Sequence, residues 1–123
     1  MNVLWMTNAP FGAACEALGT ARAQSGSWVD ATARALAATA QPPRLAVATL
    51  APGDTLRKAE KDGVTYYCIP GGHAHRGARA PGQNVALWRQ VVEGFHPDLI
   101  QIWGSEFTDG LDLLDAAPGV PAV

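Results

Sequence analysis

Short apolar runs alternate along the chain with longer stretches in which apolar residues recur at helical spacing. Residues 2–7, 44–50 and 98–103 are apolar at successive positions, which is typical of strands buried on both faces of a parallel sheet. Between these runs, residues 27–40 and 84–93 place their apolar side chains on one helical stripe. This alternation predicts an α/β, Rossmann-like, three-layer domain with a mostly parallel sheet.

The segment between the second and last strands is predicted to form a hairpin. Asp62 and Gly63 separate two strand-like runs, residues 55–61 and 64–69, and Asp-Gly is a strong hairpin signal. A short helix over residues 55–61 is the alternative. The simplest strand order is 3-2-1-4-5, and residues 119–123 read as the start of another strand, as expected of one part of a longer protein.

Two connections are unusually long for a compact domain. Residues 8–25 are rich in Ala and Gly, with a helical turn expected at 13–18, and residues 71–82 form a Gly-rich stretch without periodicity. Loops of this length are usually functional or disordered. After the last strand a helix is expected from Ser105 or Glu106 to Asp115, with Phe107, Leu111 and Leu114 facing inward.

Composition limits the class of protein. A chain of 123 residues, 48% apolar and 16% charged, is a single globular domain, and its net charge of -2 gives no electrostatic case for nucleic acid. All nine Lys and Arg lie at or before Arg89, which predicts a negative carboxyl-terminal surface. With no basic, apolar leader and no long apolar segment, we expect a soluble, cytoplasmic domain.

No metal site is expected from the sequence. Cys15 and Cys68 lack ligand spacing, and both are expected to be reduced. His73 and His75 lie among basic residues in the Gly-rich loop, where a solvated segment is favoured over an anion or metal site. No Ser/His/Asp or Cys/His set is present, so the catalytic residues are unknown.

The first candidate site is the turn that contains Gly26, Ser27 and Trp28, at the start of a helix. Backbone N–H groups at such a start suit a phosphate, and a plain capped helix, with Ser27 as the cap and Asp30 in the first turn, explains the residues equally well. The turn matches neither the dinucleotide-binding fingerprint nor a P-loop, so no cofactor is expected.

The second candidate site is the run Trp103, Gly104, Ser105 and Glu106, at the carboxyl end of a strand. Ligands of open α/β sheets bind in the crevice outside these strand ends. Trp103 could stack on a sugar and Glu106 could accept hydrogen bonds from hydroxyls. The alternative is that Trp103 covers the core and Glu106 complements the helix dipole. We expect this run and the Gly26 turn to lie on one edge of the sheet.

Several stretches together resemble retaining family 4 glycosyltransferases. Residues 7–10 (Thr-Asn-Ala-Pro), followed by residues 26–36, are similar to the opening of that family, and residues 62–70 to the part that follows. Residues 97–107 (Pro-Asp-Leu-Ile-Gln-Ile-Trp-Gly-Ser-Glu-Phe) are similar to its later strand, although many relatives have His at the place of Gln101. The resemblance covers essentially the whole chain.

The resemblance implies a function and a set of site residues. The family has a two-domain GT-B fold, and this chain would be its amino-terminal, acceptor-side half, lacking the carboxyl-terminal domain that holds most of the nucleotide-sugar. Gly26 and Ser27 would approach the donor phosphates, and Trp103, Ser105 and Glu106 would line the acceptor side. The leaving diphosphate would help take the acceptor proton, without metal or cofactor.

The same resemblance implies partners and leaves alternatives open. The partners would be a nucleotide-sugar and a sugar or other hydroxyl acceptor, and peripheral membrane association of the parent enzyme stays open. The isolated half is not expected to turn over, and its exposed sheet edge allows dimers of the chain. The alternative function is a non-catalytic Rossmann-like binding or interaction module.

Overall fold

A computed structural model describes residues 1–20, 27–71, 82–104 and 108–123. Within these residues, five strands and four helices form an α/β domain. The elements in chain order are β1 (Asn2–Thr7), α1 (Gly12–Leu18), α2 (Ser27–Ala37), β2 (Arg44–Ala51), β3 (Arg57–Lys61), β4 (Val64–Pro70), α3 (Val85–Phe95), β5 (Leu99–Trp103) and α4 (Asp109–Ala116).

The strands form one mostly parallel sheet in the order β3-β4-β2-β1-β5. This differs from the predicted order 3-2-1-4-5 for two reasons. The hairpin contributes two strands to the sheet where one was counted, and residues 119–123 form an isolated parallel bridge between Ala122 and Ile100 in place of a strand. The central pairs β1–β2, β1–β5 and β2–β4 are all parallel.

The hairpin predicted from the runs 55–61 and 64–69 is confirmed, with strands at Arg57–Lys61 and Val64–Pro70, and the alternative helix over residues 55–61 is wrong. β3 and β4 pair antiparallel, and Asp62 and Gly63 turn the chain with φ angles of 51° and 78°. Two successive left-handed residues define the type I′ turn, whose twist matches the twist of the flanking strands. The sheet therefore ends in an antiparallel edge strand, β3, which carries four charged residues out of five.

Helices cover both faces of the sheet, as a three-layer domain requires. Residues at alternate positions of each strand face opposite sides. Leu4 and Met6 of β1 pack against α3 and α4 in one core, whereas Val3 and Trp5 pack against α1 and α2 in the other. The helix pair α1 and α2 therefore lies over the face from which Trp5 and Trp103 project.

The expected helix after β5 is shorter and oriented differently from the prediction. α4 begins at Asp109 and buries Asp109, Asp112 and Leu113, whereas Leu111, which was predicted to face inward, is 58% exposed. Leu114 is also exposed. The prediction was wrong because the face that packs against α3 carries two carboxylates that are held by hydrogen bonds, described below.

The carboxyl-terminal surface is less acidic than the charge distribution suggests. Of the six carboxylates that follow Arg89, Asp109 and Asp112 are buried, so they add little to the surface potential. No helix within the described residues is long and apolar enough to cross a bilayer.

Candidate ligand-binding site

The carboxyl ends of β1 and β5 and the beginning of α2 meet at one place. Thr7, the last residue of β1, is in register with Trp103, the last residue of β5. The Trp28 indole, one residue into α2, lies edge-on against the Trp103 indole, with 4.8 Å between ring centroids and 64° between ring planes. We call this part of the surface, defined by Thr7, Trp28 and Trp103, the rim.

Trp103 connects the rim to the core beneath α1 and α2. Its indole also contacts that of Trp5, with centroids 5.5 Å apart and planes at 80°. Edge-to-face geometry is the favoured arrangement of aromatic pairs, because it places a positive ring edge against a negative face. Trp103 thus contacts two other indoles, the buried Trp5 and the half-exposed Trp28, and is itself partly buried.

The indole N–H groups of Trp5 and Trp103 are shielded from solvent and find no acceptor in the structure among its described residues. A buried donor without an acceptor costs on the order of 1–3 kcal/mol. The same is true of Trp88 in the core on the opposite face of the sheet, so unpartnered indoles are not peculiar to the rim. They therefore do not identify a ligand by themselves.

The backbone after β5 leaves the strand in a conformation that favours glycine. Gly104 has a φ of 96°, a region that residues with a Cβ rarely occupy. Its carbonyl accepts a hydrogen bond from the Asn8 side-chain amide, with Nδ2 and O 3.3 Å apart. The loop after β1 and the loop after β5 are therefore tied together at the rim.

Asp30 joins the amino ends of α1 and α2. It lies in the first turn of α2, and its Oδ1 accepts the backbone N–H of Ala13 in α1, at 3.3 Å. A Cβ at Gly12 would clash with Oδ2 of the same carboxylate, which explains the glycine there. The described hydrogen bond of Asp30 thus goes to α1 and not to its own helix.

Asp30 also influences Tyr66 of β4. The pKa of the Tyr66 phenol is raised to about 12, chiefly by burial and in addition by the negative charges of Asp30 and Asp62. Tyr66 is 4% exposed and packs in the core beneath α1 and α2. The phenol is therefore un-ionised at all physiological pH values.

The structure describes only some of the predicted site residues. Gly26, Ser105 and Glu106 lie outside the described residues, as do His73 and His75. Ser27 begins α2, so its backbone N–H belongs to the helix start, where N–H groups lack intrahelical partners. Trp103 ends β5, and Gln101 lies within that strand, partly buried. The candidate roles of all these residues stay predictions.

Two residues that sequence reasoning underrated are Trp28 and Asp30. Trp28 was taken only as part of the Gly26 turn, yet its indole is the link to Trp103. The position of Trp28 around the helix axis is the signal that could have found it. Val29 faces the sheet, and Trp28, one position earlier, lies on the flank of the helix, near the end of the neighbouring strand.

A polar row crosses the same face of the sheet beside the rim. The row continues in register from Trp103 across the neighbouring strands and consists of Thr7, Thr49, Cys68 and Arg57. The first three of these four residues are buried. The Arg57 guanidinium donates to the Cys68 sulfur at 3.2 Å and to the Leu18 carbonyl at 3.1 Å. Cys15 and Cys68 are both buried and are not joined by a disulfide. No group of three potential metal ligands occurs among the described residues.

A second polar cluster was missed by sequence reasoning. The Asp112 carboxylate of α4 accepts the backbone N–H groups of Gly82, at 2.6 Å, and Asn84, at 3.1 Å, where α3 begins. The Asn84 side chain donates to Asp109 at 3.2 Å and makes no capping hydrogen bond to its own helix. The spacing of Asp109 and Asp112, which places both on one helical face, was the available signal.

One apolar groove lies at the amino ends of β2 and β4, at the end of the sheet opposite the rim. It has a volume of about 170 Å³ and lies between the end of α2 and the start of β2 and β4. Its lining is Ala33, Leu36, Ala37, Pro42, Pro43, Leu45, Asp62, Gly63 and Val64. With one ionisable side chain, it offers less chemistry than the rim, which combines aromatic faces, an amide and a helix start.

No protein-family profile, no curated protein and no solved structure matches the chain. Assignment of a function therefore rests on the residues and their geometry. The rim can bind a ligand through stacking and hydrogen bonds. Within the described residues it combines two indole rings, the Asn8 amide and the start of α2.

Proposed function

We propose that this chain is the acceptor-side half of a retaining glycosyltransferase with a GT-B fold, which moves a sugar from a nucleotide-sugar to an acceptor hydroxyl. The proposal takes its reaction class from the resemblance to family 4 glycosyltransferases. The observation that carries it in the structure is the contact between Trp28 and Trp103, since it brings the two resembling segments to one rim.

The rim offers the two elements that such a reaction needs on this side. The start of α2 supplies N–H groups and the positive end of a helix dipole, which favour the donor diphosphate near Gly26 and Ser27. The end of β5 supplies Trp103, with Ser105 and Glu106 beyond it, for the acceptor. An eleven-residue α2 is long enough for its dipole to matter.

The proposed mechanism takes its proton transfer from the family resemblance, in which the leaving diphosphate helps to accept the proton. In the proposed reaction the acceptor oxygen forms a bond to the anomeric carbon as the bond from that carbon to the diphosphate breaks. The hydroxyl proton passes to a departing diphosphate oxygen. The protein then contributes by positioning and by stabilising the developing negative charge.

A transfer assay on the natural protein, expressed from its complete reading frame, tests the proposal. The protein is incubated with UDP- and GDP-sugars and a panel of glycoside acceptors, and transfer is measured by mass spectrometry. Gly26→Val is expected to abolish transfer while leaving the circular dichroism spectrum unchanged, because a side chain there would block the approach of the phosphates.

The matched control is Gly94→Ala, a change in α3 where an added Cβ meets only an ordinary contact with the Tyr67 hydroxyl. It is expected to retain full transfer. A folded Gly26→Val protein with full activity would contradict the phosphate role. Absence of transfer from every nucleotide-sugar would favour the alternative, a non-catalytic binding or interaction module.

A further inference from the structure

Trp28 is the only aromatic side chain among the described residues that is exposed by more than half. Its exposed fraction is 51%, whereas the other described aromatic side chains are buried or partly buried. A large indole left in water is unfavourable, since burying apolar area contributes about 25 cal/mol for each Å². An exposed indole on a ligand-binding edge therefore invites a functional explanation.

Trp28 is exposed but not free to turn. The edge contact with Trp103, at 4.8 Å, fixes the ring on one side, and Trp103 is in turn fixed by Trp5 at 5.5 Å. Because the orientation is set before a ligand arrives, little side-chain entropy is lost on binding. Beside this contact, 51% of the Trp28 side chain stays exposed.

Polar groups lie beside this open surface. The α2 start contributes backbone N–H groups, the Asp30 carboxylate lies in the same helical turn, and the Asn8 amide ties the facing loop at Gly104. A pyranose ring combines one apolar face of C–H groups with a periphery of hydroxyls. One open aromatic face with donors and acceptors at its margin matches that chemistry.

We propose that the exposed face of Trp28 is a stacking surface for the pyranose ring of a glycoside acceptor. The inference rests on the proposed function and adds to it a residue and a ligand class. It assigns Trp103 the part of a positioning residue, which holds the Trp28 ring at a fixed angle. The stacking residue is then Trp28, which the family resemblance leaves without a role.

The experiment is a titration of the ¹⁵N-labelled chain with methyl β-D-glucopyranoside and, separately, methyl α-D-mannopyranoside. The four tryptophans give four indole N–H resonances, one for each ring. We expect a saturable shift of the Trp28 resonance with a dissociation constant on the order of 1–10 mM, a smaller shift of Trp103, and none of Trp88, which is buried in the opposite core.

Two variants and one control sharpen the test. Trp28→Ala is expected to weaken binding by at least about fivefold, judged by the remaining Trp103 shift, and Trp28→Phe by less, because an aromatic face is kept. Leu111→Ala removes another exposed apolar side chain, on α4, and is expected to leave binding unchanged.

Three results would overturn the inference: no saturable shift up to the solubility limit of both glycosides, an equal shift with glycerol, or a shift with uridine alone. Its failure is distinguishable from that of the proposed function. Glycoside binding at Trp28 without transfer by the natural protein would contradict the proposed function and support the stacking surface. Transfer without glycoside binding at Trp28 would support the proposed function and contradict the stacking surface.

Discussion

The Trp28 indole lies edge-on to the Trp103 indole, with ring centroids 4.8 Å apart, and so joins the first turn of α2 to the last residue of β5. The two residues are 75 positions apart in sequence, and each follows or ends a segment with candidate binding chemistry. Their contact makes one surface out of two weak signals.

A double-mutant cycle measures the contact itself. We expect Trp103→Ala to lower the free energy of unfolding by about 2–4 kcal/mol, because the ring is partly buried, and Trp28→Ala by about 1 kcal/mol. The coupling between the two substitutions should be about 0.5–1.5 kcal/mol, the usual range for an aromatic pair. Urea unfolding checks this, and strictly additive effects would mean that the indoles do not stabilise each other.

The Asp30 carboxylate is expected to oppose anion binding at the start of α2. Asp30→Asn removes a negative charge but keeps an oxygen that accepts the Ala13 N–H. Affinity for UDP should rise about two- to fivefold at low ionic strength and less at high salt. Calorimetric titration measures this effect.

Asp62→Asn is the matched control for Asp30→Asn. It changes net charge equally but lies exposed in the hairpin turn at the opposite end of β4, where Asn tolerates the left-handed conformation. Its UDP affinity should stay unchanged. Equal gains in the two variants would show that net charge, and not the place of Asp30, governs anion binding.

Tyr66 is expected to make stability fall at alkaline pH. With a pKa of about 12 in the folded chain and 10.0 as the ordinary value, its contribution is fully present below pH 10. As pH rises further, the unfolded chain ionises first, so stability falls through the window up to pH 12, by as much as about 2–3 kcal/mol. Tyr66→Phe should lose stability less steeply in urea unfolding across this window, and parallel curves would contradict the assignment.

Asp112 is expected to stabilise the folded chain strongly, although it is a buried carboxylate. It is 2% exposed and accepts two backbone N–H groups at the start of α3. Asp112→Ala leaves those donors unsatisfied and should cost about 2–4 kcal/mol. Asp115→Ala, on the exposed side of the same helix, should cost less than about 0.5 kcal/mol, and similar losses in the two variants would contradict the role.

Local chemistry made some of the fold predictable from the sequence. Asp62 and Gly63 predicted the hairpin because these residue types adopt the two successive left-handed conformations of its turn. The central strands could be predicted because burial of both faces requires a continuous apolar run. The strand order was not recovered, since counting strands requires knowing that the hairpin adds an edge strand.

Tertiary hydrogen bonds made other features unpredictable. As carboxylates, Asp109 and Asp112 would be expected at the surface, but both are buried because Gly82 and Asn84 donate hydrogen bonds to them. With these two residues on the inner face of α4, Leu111 lies on its exposed face. At the rim, sequence analysis found Trp103 from its place at a strand end. It missed the part of Trp28, because a contact between residues so distant in sequence depends on how α2 lies across the sheet.

The most direct test of the rim is a titration of the ¹⁵N-labelled chain with UDP, followed at the backbone amides of residues 27–30 and at the Trp103 indole. A single rim predicts that both sets of resonances shift with one common midpoint, and that Gly26→Val abolishes both shifts. Different midpoints for the two sets, or shifts confined to the groove between Leu36, Pro42 and Val64 at the opposite end of the sheet, would contradict it.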